Sequence, residues 1–176
     1  MTYIEFPGWQ PGMIMTEARL NSAALVGRTI FRATRDTNQT IPSTSSGNPD
    51  VANAMSWESV AVDDLGGWSS GSPTRYTCQI AGWYKIFGKV SFNATATAGT
   101  ARAIGFFDNG TLLAGGHFRS AIAASNSVHT EEGWITQLLA VGDYIQVAPG
   151  HVTGANLDTA TGGTRPVLEI EFARPA

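Results

Sequence analysis

One stretch decides the fold class: VLEIEF, residues 167–172, in which every second residue is large and apolar. In an extended chain Leu168, Ile170 and Phe172 face one side, and the two intervening glutamates face the other. This alternation is typical of a strand with one buried and one solvated face. The stretch therefore predicts a β-protein.

The same period of two recurs upstream. Residues 29–35 place Phe31 and Ala33 on an apolar face and leave Ile30 on the polar one. We expect this segment to be the first strand of the fold.

Residues 75–92 predict a strand pair with a tight turn, interrupted at Ala81-Gly82 and at Gly88. One face of the pair is aromatic and aliphatic. The opposite face carries both lysines of the chain together with Ser91. One face should therefore be buried and the other solvated.

Turn signals join the remaining segments. Asn109-Gly110 follows an apolar run, and these residue types tolerate the positive φ that a hairpin turn requires. Gly142-Asp143 separates two further alternating segments, 133–141 and 144–148. The chain as a whole predicts roughly eight to ten short strands, which favours a two-sheet antiparallel sandwich.

Length and charge limit the function. The chain has 176 residues, about one domain, with 14% charged residues and a formal net charge of -3. The basic residues are scattered, so no nucleic-acid surface is expected. No apolar run reaches the roughly 18 residues of a membrane span, and no secretion signal is recognised, so no membrane insertion is expected.

The first 27 residues differ from the rest. They contain an aperiodic stretch rich in Pro and Gly, then Thr16 as the cap of a short helix over 17–26, with Gly27 as its left-handed stop. Because so short a helix is marginal alone, we expect residues 1–27 to dock as an anchoring arm and 28–176 to form the main domain. The expected anchoring residues are Tyr3, Phe6, Trp9, Met15 and Leu20.

Motifs for catalysis are missing from the sequence. His117, His129 and His151 are far apart and sit in no metal-ligand frame, and no nucleophile elbow or phosphate-binding loop occurs. The carboxylates are explained by structural positions and do not require a catalytic role: most lie in turns, and Glu131-Glu132 lie just before a strand. The sequence therefore predicts a protein that is not an enzyme and needs no cofactor or metal.

Two smaller expectations concern ions and cysteine. A calcium site built from turn carboxylates near Asp63-Asp64 stays open, because calcium accepts loop oxygens without a fixed motif. Cys78 is the single cysteine and is expected to be a small buried residue of the core.

Contact with a partner is expected from loops that a rigid sandwich would present. The candidates are residues 38–50, 115–127 and 152–163. Tryptophans within strand patterns are expected in the core or at a subunit interface, whereas Trp68 lies outside these patterns and is expected to be exposed. The candidate contact residues are Trp68, His117, Arg119, Asn126 and Asn156.

Four pieces of sequence, in order, carry a resemblance. The run 76–86, with Gly82-x-Tyr84, resembles the opening of a central strand in the TNF-like and complement-recognition jelly rolls. Phe31-x-Ala33, the Asn109-Gly110 hairpin and the segment 138–145 resemble further pieces of that family. The resemblance implies a two-sheet jelly roll that assembles as a homotrimer and buries aromatic surface at a three-fold axis.

The arm resembles a different group. Trp9-Gln10-Pro11-Gly12, Thr16 and Leu20-Asn21 resemble the beginning of short bacteriophage minor tail and virion structural proteins. The resemblances imply a trimeric virion protein, assembled in the host bacterial cytoplasm and bound to other virion proteins through residues 1–27. The jelly roll would project as a tail-tip or fibre head that contacts a host-surface glycan or protein, or as a capsid decoration.

Two alternatives remain. One is a bacterial carbohydrate-binding module or lectin, in which tryptophan rings stack on sugars. The other is a hydrolase that uses turn carboxylates such as Asp63, Asp64, Asp143 and Asp158.

Overall fold

The computed structural model describes residues 24–94, 101–121 and 127–176. The five expected anchoring residues and Asn126 lie outside these ranges, as does most of the predicted helix 17–26. Residues 24–25 are helical and Gly27 has a φ of 76°. The left-handed stop before the first strand is therefore confirmed.

Eleven strands occur in the described ranges, three of them only two residues long. They are β1 (Arg28–Thr34), β2 (Thr40–Ile41), β3 (Ser59–Asp63), β4 (Tyr76–Thr77), β5 (Gly82–Phe92), β6 (Ala101–Asp108), β7 (Thr111–Ser120), β8 (His129–Leu139), β9 (Tyr144–Val152), β10 (Leu157–Asp158) and β11 (Val167–Pro175). Two short 3-10 helices, Val51–Asn53 and Gly162–Thr164, lie in the connections. No helix in these ranges is long and apolar enough to cross a membrane.

The long strands form two antiparallel sheets. The five-stranded sheet has the order β3-β1-β11-β5-β8, and the four-stranded sheet has the order β4-β9-β6-β7. β2 and β10 form a separate two-stranded ribbon. The predicted all-β sandwich of two antiparallel sheets is confirmed.

The core fills the space between the two sheets. The five-stranded sheet contributes Phe31, Tyr84 and Phe172, and the four-stranded sheet contributes Tyr76 and Phe106, all fully buried. Each such side chain stabilises the fold by about 1.5–3 kcal/mol through burial. The inner faces of both sheets are therefore occupied by the core, and only the outer faces and the loops can contact a partner.

The stretch 167–172 lies in β11, between β1 and β5. Leu168, Ile170 and Phe172 are fully buried, as predicted. Glu169 and Glu171 alternate with them and are therefore on the outer face of the five-stranded sheet.

Two residues expected on polar faces are buried instead. The pairing of β1 with β11 shifts register between Thr29 and Phe31, and this irregularity turns Ile30 inward beside Phe31. Ser91 is also fully buried, and its hydroxyl lies 2.8 Å from the hydroxyl of Thr130 on β8. A strict alternation could not reveal either local exception.

The predicted strand pair in 75–92 is wrong. β4 pairs with β9 in the four-stranded sheet, and β5 runs without a break through Gly88 between β11 and β8. Gly88 serves close packing, because a Cβ there would lie 3.0 Å from two atoms of the Phe106 ring. The glycine marks a contact between the sheets and not a turn.

The predicted turn residues behave as expected. Asn109 and Gly110 have φ values of 50° and 78° and connect β6 to β7. Gly142, with a φ of 93°, lies in the connection from β8 to β9. This second turn crosses from one sheet to the other, because β8 and β9 belong to different sheets.

Candidate functional site

The outer face of the five-stranded sheet carries large apolar side chains that the described part of the chain leaves open. Trp134 is 67% exposed and Leu138 is 45% exposed, both on β8. Their register partners on β5 are Phe87 and Trp83, which are partly buried. We call these four residues the aromatic strip. Exposed apolar surface of this kind marks interaction sites.

Charged residues occupy the same face beside the strip. Lys85 donates to Glu171 at 2.9 Å, and Arg32 lies 3.6 Å from Glu169. The hydroxyl of Thr29 also donates to Glu169 at 3.1 Å. These partly exposed pairs orient the side chains but contribute little to stability.

A shallow groove lies where the strip meets the charged residues. Its volume is about 250 Å³. The lining residues are Lys85, Ile86, Phe87, Trp134, Glu169 and Glu171. The Ile86 side chain is buried on the inner face, so the floor of the groove is aromatic, and two glutamates and one lysine form its rim.

A second surface lies at the end of the sandwich where the contact loops were expected. Residues 38–50 and 152–163 meet there, because β2 pairs with β10 and Ser43 accepts from the backbone N–H of Thr153 at 3.1 Å. Asn156 is exposed on this surface. The structure thus brings two of the three expected loops together.

The third expected contact loop, 115–127, is only partly a loop. Residues 115–120 belong to β7, and residues 122–126 lie outside the described ranges. His117 and Arg119 are exposed on this strand. Trp68 is partly buried against the core, and its ring N–H donates to the Pro73 carbonyl at 3.3 Å, so it is less exposed than expected.

A buried polar cluster lies inside this end of the sandwich. Glu131 is 7% exposed, and one of its oxygens lies 2.7 Å from His129 Nε2. Ser120 contacts both residues. Arg102, 3% exposed, donates to the Ala101 carbonyl at 3.1 Å and interacts electrostatically with Glu131. Glu131 was expected before a strand, but it lies within β8 and faces inward.

The cluster does not have the arrangement of a catalytic triad. In such a triad the acid and the hydroxyl contact different nitrogens of the histidine ring. Here Glu131 and Ser120 both face Nε2 of His129. The interaction ties β7 to β8, and thereby one sheet to the other.

His151 lies close to the same cluster and is fully buried. Its Nε2 is 2.8 Å from the Ile41 carbonyl, which requires the proton on that nitrogen. Burial lowers the pKa of His151, and the positive charge of Arg102 lowers it further. The imidazole is therefore held neutral and anchors the loop 38–50.

The turn carboxylates are engaged in structural contacts. Asp63 accepts from the backbone N–H groups of Gly67 and Trp68 at 2.9 and 3.2 Å, and Asp64 pairs with Arg28 at 3.1 Å. In the described ranges no group of three or more His, Cys, Asp or Glu side chains is placed to hold a metal ion.

Cys78 is 1% exposed, so the prediction of a buried cysteine is confirmed. Its Sγ lies 3.0 Å from the Ile80 carbonyl and 3.4 Å from the Tyr84 hydroxyl. Burial raises the pKa of this thiol, which keeps it protonated.

Solved structures identify the class of fold. No protein-family model and no curated protein matches the sequence. The globular domain of zebrafish complement 1qA aligns with a TM-score of 0.54 at 12% identity, over 85% of this chain and 100% of that chain. Murine APRIL aligns with a TM-score of 0.55 at 12% identity, over 82% and 98%.

A third structure agrees with the first two. Eiger TNF from S. frugiperda aligns with a TM-score of 0.55 at 9% identity, over 85% of this chain and 96% of that chain. The chain therefore has the jelly-roll fold of TNF-like and C1q-like heads, as its sequence motifs implied.

Proposed function

We propose that this chain forms the head of a homotrimer, that it is not an enzyme, and that the aromatic strip is its subunit interface. The observation that carries the proposal is the exposure of Trp134 and Leu138 on an otherwise well-packed sheet. Large aromatic side chains are enriched at interfaces, where each can bury 150–250 Å² or so. The TNF-like and C1q-like fold is compatible with such an assembly.

We further propose that the trimer is a structural component of a bacteriophage virion. Support comes from the sequence of the arm, residues 1–27, which resembles the start of phage minor tail proteins. In this proposal the arm binds other virion proteins, and the jelly roll projects as a tail-tip or fibre head, or as a capsid decoration. The loop surface around Asn156 would then be available to a host-surface glycan or protein.

The assembly is tested on the purified chain by light scattering. A trimer gives a mass three times that of the 18.6 kDa chain. Trp134→Ala should lower this mass, because the variant removes the most exposed apolar side chain of the strip. A wild-type protein that stays at the chain mass at micromolar concentration contradicts the proposal.

The virion role is tested on particles from the source. Gold-labelled antibody should bind either the tail or the head, which also separates tail protein from decoration. Deletion of residues 1–23 should leave a folded β-domain that no longer enters particles, because it keeps Leu25, which packs in the core, and Gly27, whose N–H donates to the Phe172 carbonyl. Particles that carry no label contradict a virion role.

A carbohydrate-binding module remains the second candidate, favoured by the open indole ring of Trp134. It is distinguished by titrating the protein with sugars. A change in tryptophan fluorescence that disappears in Trp134→Ala, in a protein with the mass of one chain, supports this candidate over the trimer.

A further inference from the structure

Two tryptophans on the same outer face have different surroundings. The guanidinium of Arg174 lies over Trp83, 5.1 Å from the ring centroid. Trp134 is 67% exposed, and no cation of the described chain lies over its ring. The face of an indole is the most favourable aromatic partner for a cation. One of the two rings is therefore capped and the other is open.

The open ring shares its groove with two carboxylates, one of which can accept a further hydrogen bond. Phe87 is the register partner of both Trp134 and Glu169, so these three side chains lie in one row across the sheet. Glu171 is two residues further along β11, in the neighbouring row with Lys85, and Glu169 is already engaged by Thr29 and Arg32. Glu171 accepts from Lys85 through Oε1, and within the described ranges its Oε2 receives no hydrogen bond. An aromatic floor beside a carboxylate suits a guanidinium, which stacks on the ring and donates to the oxygen.

Arg119 is the arginine of the described chain that is left without a partner. It is exposed, and no hydrogen bond, ion pair or ring contact is found for it within the described ranges. The other arginines are engaged or buried: Arg28 with Asp64, Arg32 with Glu169, Arg35 with Glu58, Arg75 over Tyr144, Arg165 with Asp36, Arg174 over Trp83, and Arg102 in the interior.

The groove and Arg119 lie on opposite sides of the same chain. Phe118 packs inward against Phe106, with ring centroids 5.9 Å apart, so Arg119 points away from the core on the four-stranded sheet. Glu171 lies between the buried Ile170 and Phe172 and points outward from the five-stranded sheet. A single chain cannot bring the two together, but a second copy can.

We propose that Arg119 of one copy docks into the groove of a neighbouring copy, stacking on Trp134 and donating to Glu171. This inference rests on the proposed homotrimer and names the contact that holds it. Because the two surfaces differ, the contact is heterologous, and repetition of such a contact closes a ring when the rotation between copies allows it. A second copy of the chain is the partner that fits, because the chain itself carries both the unpaired arginine and the aromatic, acidic groove that would bind it.

A charge swap tests the contact. Arg119→Glu and Glu171→Arg should each weaken assembly by about tenfold or more, measured as mass against concentration by light scattering. The double variant R119E/E171R should restore assembly, because the opposite charges then face each other again. Arg28→Glu is the matched control, since it reverses another exposed arginine and should leave the mass unchanged.

The outcomes separate this inference from the proposed function. If Trp134→Ala dissociates the trimer but Arg119→Glu does not, the named contact is wrong and the homotrimer stands. Failure of the double variant to recover assembly, with both single variants dissociated and folded by circular dichroism, also overturns the contact. A monomeric wild-type protein overturns both proposals.

Proximity gives an independent test that does not depend on charge. The double variant Arg119→Cys, Glu171→Cys should be joined between copies by a bis-maleimide whose span matches the combined length of the two side chains it replaces, because the Cα atoms of an arginine–glutamate pair lie farther apart than a direct disulfide allows. Bands of two and three chains should then appear on a denaturing gel. Each single cysteine variant is the control. A double variant that runs as a single chain, although the reagent cross-links a known reference protein, contradicts the contact.

Discussion

The two outer faces of the sandwich differ in what covers them. On the four-stranded sheet a loop of the chain covers β6 and β9: Pro49 lies against Gly105, and Ala54 clusters with Phe107 and Ala148. The edge strand β7, which carries Arg119, stays exposed. On the five-stranded sheet the aromatic strip is left open beside paired charges. A chain that covers one face with its own loop and leaves apolar rings on the other has a surface suited to a partner.

The covered face should tolerate no added volume. A Cβ at Gly150 would lie 2.5 Å from the backbone carbon and oxygen of Asn48. Because backbone atoms cannot swing aside, Gly150→Ala should lower the free energy of unfolding by about 3 kcal/mol. Denaturant unfolding of the two proteins measures the difference.

A matched substitution controls for the loss of glycine itself. A Cβ at Gly163 would have no neighbour within 4 Å. Gly163→Ala should therefore leave stability within about 0.5 kcal/mol of the wild type. Equal effects of the two variants would contradict the idea that the loop is packed tightly on this face.

Acid should weaken the attachment of the same loop. The pKa of His151 is lowered in the folded protein by burial and by Arg102, so the unfolded chain binds the proton more readily. The free energy of unfolding should therefore be highest above the ordinary histidine pKa of about 6.5 and fall as the pH drops below it. Thermal unfolding across this range measures the trend.

Replacing His151 by a residue that does not titrate separates its contribution to the pH dependence of stability from that of other groups. His151→Gln keeps an N–H group that can reach the Ile41 carbonyl but removes the ionisation. The variant should show a smaller loss of stability between neutral and mildly acidic pH. An unchanged pH dependence would assign the effect to other groups.

The smallest effect is expected from the ion pair on the open face. Lys85 and Glu171 are 56% and 31% exposed and pair at 2.9 Å. Lys85→Ala should change the free energy of unfolding by no more than about 0.5 kcal/mol, because water screens the pair. A much larger loss in denaturant unfolding would mean that the charged part of this face is structural.

Sequence patterns predicted the structure correctly where local backbone geometry alone determines it. The alternation of 167–172 and the turn at Asn109-Gly110 depend on local geometry, and both are confirmed. The inward position of Ile30 does not follow from the alternation, because it depends on a register shift between β1 and its neighbour β11. Gly88 resembles a turn residue in the sequence, because the close approach of Phe106 that requires a glycine comes from the other sheet.

The candidate site was only partly accessible from sequence. Tryptophans in strands were expected at a core or an interface, while Trp68 was expected to be exposed. Trp134 lies on the same face of β8 as Thr130, Glu132 and Thr136. These polar neighbours at every second position are the sequence pattern that indicates an outward-facing ring. The pairing of Trp134 with Phe87 needed the register between distant strands, which no local pattern encodes.

We infer that a second copy of the chain covers the open face of the five-stranded sheet. Light scattering of the wild type and of Trp134→Ala at the same micromolar concentration is the decisive measurement. The wild type should have three times the 18.6 kDa chain mass, and the folded variant should have a lower mass. A mass of one chain for the wild type, or a trimer that Trp134→Ala leaves intact, would contradict it.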